Sequence, residues 1–382
     1  MTRTSRRLLT SLILGVAVLA VVALTAGVIG CGSSGTTTTT SAPAASSTTA
    51  GADTTAAPAT TIAPTSTSEA GTSTSAPAKL DKLTLVAPPG PMAIPLAYMA
   101  VNNKLADVAA KTEVVIWENP DQLKAYVAGK QGDFVTMPSN SSAMFYNKGL
   151  KVQLLDISVW NITYLITSDA TAGSFADIKG ESLAVPFEGS VPDLMFQYIV
   201  KAEGLDPQKD FKVRYAADPT QAAQLLLSGQ VQNAVLSEAL ATSVILQTKT
   251  AAKPLHRALA FDKAWTDASG GTDSPIAGTV ATASVMDRPD VIAAFEREYK
   301  AAVQWMLDNP EEAGKLVETQ LPQLGLKAAV MTASLQNITW RYTAATDARA
   351  SLDLFYQDLS ELSPEVIGGK VPDDGFYFNV TP

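Results

Sequence analysis

Residues 80–382 are predicted to form a two-lobed α/β fold with two crossover hinge strands and a cleft between the lobes. Short β-branched or aliphatic runs alternate with longer helical patterns, the signature of βαβ units. The order strand, helix, strand, helix, strand, helix occurs twice, at about 82–150 and again at about 182–247. Single extended runs, 161–169 and 274–285, stand between and after the two sets. Open parallel sheets bind ligands outside the carboxyl ends of their strands, and two facing lobes turn that crevice into a cleft that can close.

The strands of the first set are expected at 82–87 (KLTLVA), 112–117 (TEVVIW) and 133–137 (DFVTM), with a fourth at 152–157 (VQLLDI). Those of the second set are expected at 182–187 (SLAVPF), 211–216 (FKVRYA) and 233–238 (NAVLSE). Helix starts are marked at Asn119-Pro120, Asp218-Pro219 and Asn309-Pro310. In each pair a capping side chain precedes a proline whose missing N–H is not needed in a first turn. Gln122, Gln221 and Glu312 follow three residues after each cap, and Ser190 with Asp193 makes a further capping box. From Pro289 onward the pattern reads as mostly helix.

Of the 382 residues, 46% are apolar and 17% charged, enough for a large core. One cysteine, Cys31, rules out a disulfide framework or a cysteine metal cluster, and one histidine, His256, speaks against a multi-histidine site. Neither a metal nor a cofactor is implied. The net charge of −9, with no lysine or arginine cluster, argues against nucleic acid as a partner.

Residues 1–7 (MTRTSRR) are basic and precede an uncharged apolar run at 8–30, the layout of an export signal. The run also reaches the roughly 20 residues that span a bilayer, so an uncleaved helix is the competing reading. Val28-Ile29-Gly30-Cys31 resembles the lipobox of bacterial lipoproteins, in which the cysteine is acylated and becomes the new N-terminus. The Arg6-Arg7 pair resembles a twin-arginine signal. Cleavage after Gly30 would remove Arg3, Arg6 and Arg7 and take the net charge from −9 to −12. Beyond Cys31 the composition falls to Thr, Ser, Ala, Gly and Pro, too polar to offset ordering entropy. A signal peptide at 1–30 and a disordered tether at 31–79, spanning roughly 40 Å, are therefore expected. Lobe 1 is expected at 80–168 plus 275–382, and lobe 2 at 169–274.

Four segments carry a family resemblance: VAPPGPMAIPLAYM after the first strand, PDQLKAYVAGKQGDFVTMPSNSSAMF, DIKGESLAVPFEGSVPDLMFQYIVKAEGLDP and PTQAAQLLLSGQVQNAVLSEALAT. They resemble the substrate-binding proteins of ABC importers in the type II periplasmic-binding fold. Within that fold the chain is similar to the nitrate, sulfonate, taurine and thiamine-pyrimidine-precursor (NMT1-like) binders. The resemblance implies a ligand cleft at Gly90, Pro91, Met92 and Ala93; at Pro138, Ser139, Asn140 and Ser141; at Glu188, Gly189, Ser190 and Val191; and at Ser237 and Glu238. Trp160 and Asn161 fall at the first crossover. Unpaired N–H groups at helix starts give these loops a physical reason to bind, although Ser139, Ser190 and Asp193 read equally well as caps. Trp160 and Phe187 fit a core better than a stacking surface, and His256 reads as structural.

The family further implies an extracytoplasmic, lipid-anchored monomer that delivers a small molecule to ABC permease subunits and catalyses nothing. Glu188, Glu238 and Asp273, with no lysine or arginine in these loops, favour a neutral or nitrogenous ligand such as a pyrimidine over a full anion. A ligand-sensing surface lipoprotein, or an enzyme on the same fold, are the alternative readings.

Overall fold

The computed structural model describes residues 78–379. The expected signal peptide, Cys31 and nearly all of the expected tether lie outside the described residues. The first set forms β1 (Leu83–Ala87), α1 (Ala93–Val101), β2 (Thr112–Ile116), α2 (Pro120–Ala128), β3 (Phe134–Pro138) and α3 (Ser139–Asn147). Two strands follow, β4 (Val152–Asn161) and β5 (Thr163–Thr167). The second set is β6 (Ser182–Pro186), α4 (Val191–Ala202), β7 (Lys212–Ala216), α5 (Pro219–Leu227), β8 (Asn233–Ser237) and α6 (Leu240–Thr248). The chain continues through β9 (His256–Ala260), α7 (Phe261–Ala268), β10 (Ala277–Thr282), α8 (Pro289–Asp308) and α9 (Pro310–Gln320). It closes with α10 (Ala328–Leu335), β11 (Thr339–Ala344) and α11 (Ala345–Leu362). Among the described residues no helix is long and apolar enough to cross a membrane.

The strands build two mixed sheets, ordered β11-β4-β10-β3-β1-β2 and β7-β6-β8-β5-β9. In each, the central strand of a set is parallel to its neighbours, β1 to β2 and β3, β6 to β7 and β8. The strands that run against the rest are β10 and β11 in the first sheet and β5 in the second, and β4, β5 and β10 flank the crossovers. The chain changes sheet at Ile162, because β5 pairs with β8 and β9. The second sheet therefore begins six residues before the expected lobe boundary at 168.

Alternation along β1 explains its place. Leu83, Leu85 and Ala87 join one apolar cluster with α1 and α8, Val86 joins another with α11, and every residue of the strand is buried. Phe134 stacks on Phe295 of α8 with ring centroids 3.9 Å apart. The Val86 cluster runs on into lobe 2, where Trp265 of α7 meets Phe355 of α11 edge-on at 5.0 Å and stacks on Tyr198 of α4.

Asn119 and Asp218 accept the Gln122 and Gln221 N–H groups at 3.0 and 2.8 Å, as caps should. Two caps differ from expectation. Asn309 turns back to donate to the Trp305 carbonyl, and the Ser190 hydroxyl donates to the Pro186 carbonyl. Asp193 supplies the other half of that box, accepting from the Gly189 N–H at 2.8 Å. β9 and β11 were not expected. β11 interrupts the C-terminal helices because it pairs with β4, far away in sequence.

Candidate ligand-binding site

The loops that the sequence singles out follow the carboxyl ends of β1, β3, β6 and β8. β1 delivers Gly90, Pro91 and Met92 to the start of α1, where the Ala93 and Ile94 N–H groups donate to the Gly90 and Pro91 carbonyls. Gly90 and Pro91 are buried and Met92 half-buried. From the other lobe Ala239, between β8 and α6, packs in the same apolar cluster as Met92 and Ile162.

Ser139 serves the scaffold rather than a free site. Its N–H donates to the Ile276 carbonyl and its hydroxyl to the Pro275 carbonyl at 2.5 Å, while its carbonyl accepts from Tyr356 at 2.9 Å. These bonds pin the start of α3 to the second crossover. Asn140 donates its side-chain amide to the Val366 carbonyl at 3.1 Å. Ser141 is half-buried and its hydroxyl has no partner among the described residues.

Lobe 2 contributes the 187–190 turn. Phe187 holds φ +55° and Gly189 φ +77°, the left-handed region in which glycine is at home and phenylalanine is not. Three bonds enforce the turn: the Phe187 N–H to the Ala216 carbonyl, the Ser190 N–H to the Phe187 carbonyl, and the Gly189 N–H to Asp193. The left-handed residue ends β6 at Pro186 and turns Phe187 out of the core, where it is 45% exposed. Tyr215 at the end of β7 is also exposed, its hydroxyl donating to Asp193 Oδ1 at 3.2 Å. Burial and the Asp193 carboxylate push the Tyr215 pKa up to about 12. Phe187 and Tyr215 are thus exposed aromatic side chains at the carboxyl ends of β6 and β7, and Glu188 is exposed next in the chain.

The remaining carboxylates are engaged. The Glu238 side chain is 0% exposed, accepts from Arg257 Nε at 2.7 Å and from the Thr242 hydroxyl at 2.5 Å, and so does not face a ligand. Burial holds its pKa above the ordinary value, against the pull of Thr242 and Arg257. Asp273 pairs with Arg341 at 2.9 Å. Of the three acids read as shaping ligand charge, only Glu188 is unpaired among the described residues.

At the first crossover Asn161 accepts the Thr163 N–H at 3.1 Å, while its Nδ2 is buried without a partner. Trp160 is covered. The Arg341 guanidinium lies 3.8 Å from the ring centroid, and the indole N–H donates to the Arg341 carbonyl at 2.8 Å. Trp160 lines a 220 Å³ cavity with Asp262, Asp273, Thr339 and Arg341. Thr339 donates to Asp262 at 2.9 Å and Tyr164 to the Asn337 carbonyl at 2.5 Å, so residues 337–341 strap lobe 1 to lobe 2 along the crossovers. A larger cavity of 710 Å³ opens beyond Thr167, Glu181, Leu226 and Leu255. Thr167 ends β5 and Glu181 precedes β6, so this cavity lies at the opposite end of the second sheet from the candidate loops.

Residues 114–277 match the NMT1-like family. The NMT1-like segment runs from within β2 to the start of β10 and so includes both crossovers. No curated protein matches the sequence. Among solved structures, an ABC transporter protein from Parabacteroides distasonis is 22% identical with a TM-score of 0.67, covering 79% of this chain and 100% of that one. The periplasmic aliphatic sulphonate binding protein SsuA from Escherichia coli is 14% identical with a TM-score of 0.63, covering 78% and 92%. The periplasmic nitrate-binding protein NrtA from Synechocystis is 17% identical with a TM-score of 0.51, covering 66% and 69%. These likenesses establish the two-lobed type II periplasmic-binding fold, and the resemblance to the NMT1-like and SsuA-like group is borne out.

Proposed function

We propose that the protein is the extracytoplasmic solute-binding component of an ABC importer, a binder rather than a catalyst. It captures a small molecule between its lobes and presents the closed form to a permease. The observation that carries this reading is the pair of mixed sheets joined by two crossovers, in a fold whose solved neighbours are named as periplasmic binding proteins and, in one case, as an ABC transporter protein. The unpartnered Asn161 Nδ2, the Ser141 hydroxyl and the exposed rings of Phe187 and Tyr215 support a ligand with a hydrogen-bonding group and an apolar or flat face. With Glu238 and Asp273 paired, only Glu188 still disfavours an anion. The part of the proposal that concerns the membrane is acylation of Cys31 after signal cleavage, which would tether the acidic body to the bilayer.

One experiment with the Cys31→Ser variant tests both parts. The variant is expected in the soluble fraction. Its melting temperature should rise with one class from a panel of alkyl sulfonates, nitrate, pyrimidines, amines and amino acids, since a solute at 100 times its Kd adds about 2.7 kcal/mol. Retention in the membrane would instead assign residues 8–30 as an uncleaved helix. A panel that moves nothing would count against solute binding.

A further inference from the structure

Asp156 is a buried acid that the binding role does not use. It lies within β4, is 0% exposed, and neither carboxyl oxygen has a hydrogen-bond partner among the described residues. The nearest hydroxyls, Ser158 and Thr279, bond Tyr299 at 3.1 Å and Thr136 at 3.3 Å and ease the carboxylate only in part. From α8 it faces Glu296 and Tyr299, and from β11 Tyr342, whose hydroxyl donates to Glu296 at 3.4 Å. Lys300 sits 5.7 Å from the Tyr342 ring, and Asp156 forms no salt bridge among the described residues. A carboxylate buried without a partner is far costlier than a neutral carboxylic acid. Burial raises the proton affinity of Asp156, Glu296 adds to that, and the polar groups of Thr279 and Ser158 pull the other way without reversing it.

The position of this group gives its proton leverage. β4 and β10 shift register on either side of the pair Gly278–Thr279, and β4 and β11 shift between Thr339 and Thr343. Asp156 is the register partner of both Thr279 and Ala344, and so sits where both irregular pairings meet. β4 leads into the first crossover and β10 leads out of the second. We propose that Asp156 is a proton-operated switch: its acid form holds β4, β10 and β11 in register, and loss of the proton loosens the sheet beneath both crossovers. The proton moves between the carboxyl oxygen and solvent, and no other group changes its covalent state.

The sign of the pH effect follows. A carboxyl that holds its proton more tightly folded than unfolded lowers stability as pH rises from about 4, its unfolded value, to its folded value. Asp156→Asn, a neutral isostere, removes that loss. In the full chain, wild type and variant are expected to melt together near pH 4. The variant should lead by about 2–5 °C at pH 8. Glu296→Gln, which removes the neighbouring like charge, should narrow that lead. If Asp156→Asn fails to fold, the infrared carbonyl band of a protonated carboxyl in the wild type at neutral pH carries the test, with loss of that band as the pH is raised further. A lead that stays constant from pH 4 to 9, or the absence of a protonated carboxyl band at neutral pH, would overturn the switch.

Discussion

Replacing Arg257 by methionine is expected to destabilise the folded body by about 3–5 kcal/mol at pH 8. The variant keeps most of the side-chain volume but strands the Glu238 carboxyl, whose side chain is 0% exposed, with the Thr242 hydroxyl as its remaining partner. It also removes the guanidinium that lies 5.4 Å from the Tyr164 ring, and Tyr164 in turn is tied to the Asn337 carbonyl of the other lobe. Glu238 already binds its proton more tightly than an ordinary glutamate, and without Arg257 it will do so more strongly. The loss should therefore be small near pH 4, where the carboxyl is protonated both folded and unfolded, and grow as pH rises toward the folded value. Urea melts at pH 4 and pH 8 measure this difference. The double variant Glu238→Gln with Arg257→Met should regain most of the loss, because no buried charge is then left alone. If the single and double variants melt alike at pH 8, the pair contributes nothing specific.

Gly278→Ala is expected to cost about 3 kcal/mol or more. A Cβ at this position would lie 1.8 Å from the Asp156 carbonyl oxygen and 2.8 Å from its carbon, and both are backbone atoms that cannot step aside. Relief would require β10 to move off β4 at the place where their register already shifts. Gly189→Ala is a useful contrast. Nothing lies within 4 Å of its added methyl, so its cost is the left-handed backbone alone, about 1–2 kcal/mol. Denaturant melts of the two variants should rank in that order. A Gly278→Ala protein as stable as wild type would mean that the β4–β10 pairing is looser than described here.

The parts of the fold legible in the sequence are those fixed by local chemistry. β1 to β4 and β6 to β8 announce themselves as aliphatic runs, and the Asn119 and Asp218 caps lie next to the prolines that follow them. What escaped depends on partners far along the chain. β11 (TWRYTA) is half polar and is a strand because β4 lies beside it, and β9 opens with His256 and Arg257, which alone suggest no strand. The same holds for the site. The loops were legible from their order after strands, but the fate of each side chain was not. Ser139 is spent on Pro275, Asn140 on Val366 and Glu238 on Arg257, each partner set by tertiary packing. Phe187 reads as core by type, and only its left-handed backbone turns it outward, beside a Tyr215 that carries no local signal at all.

Closure of the lobes over a solute held between the ends of the two sheets is tested most directly by an interlobe distance. Cys31 is the sole native cysteine, so in a Cys31→Ser background the changes Lys124→Cys on α2 and Gln224→Cys on α5 place one spin label on each lobe at exposed positions. The panel solute that raises the melting temperature should shorten and narrow the label-to-label distance distribution, saturably and with the same apparent affinity. A solute that stabilises the protein while leaving the distance unchanged would place its site outside the cleft and contradict the account.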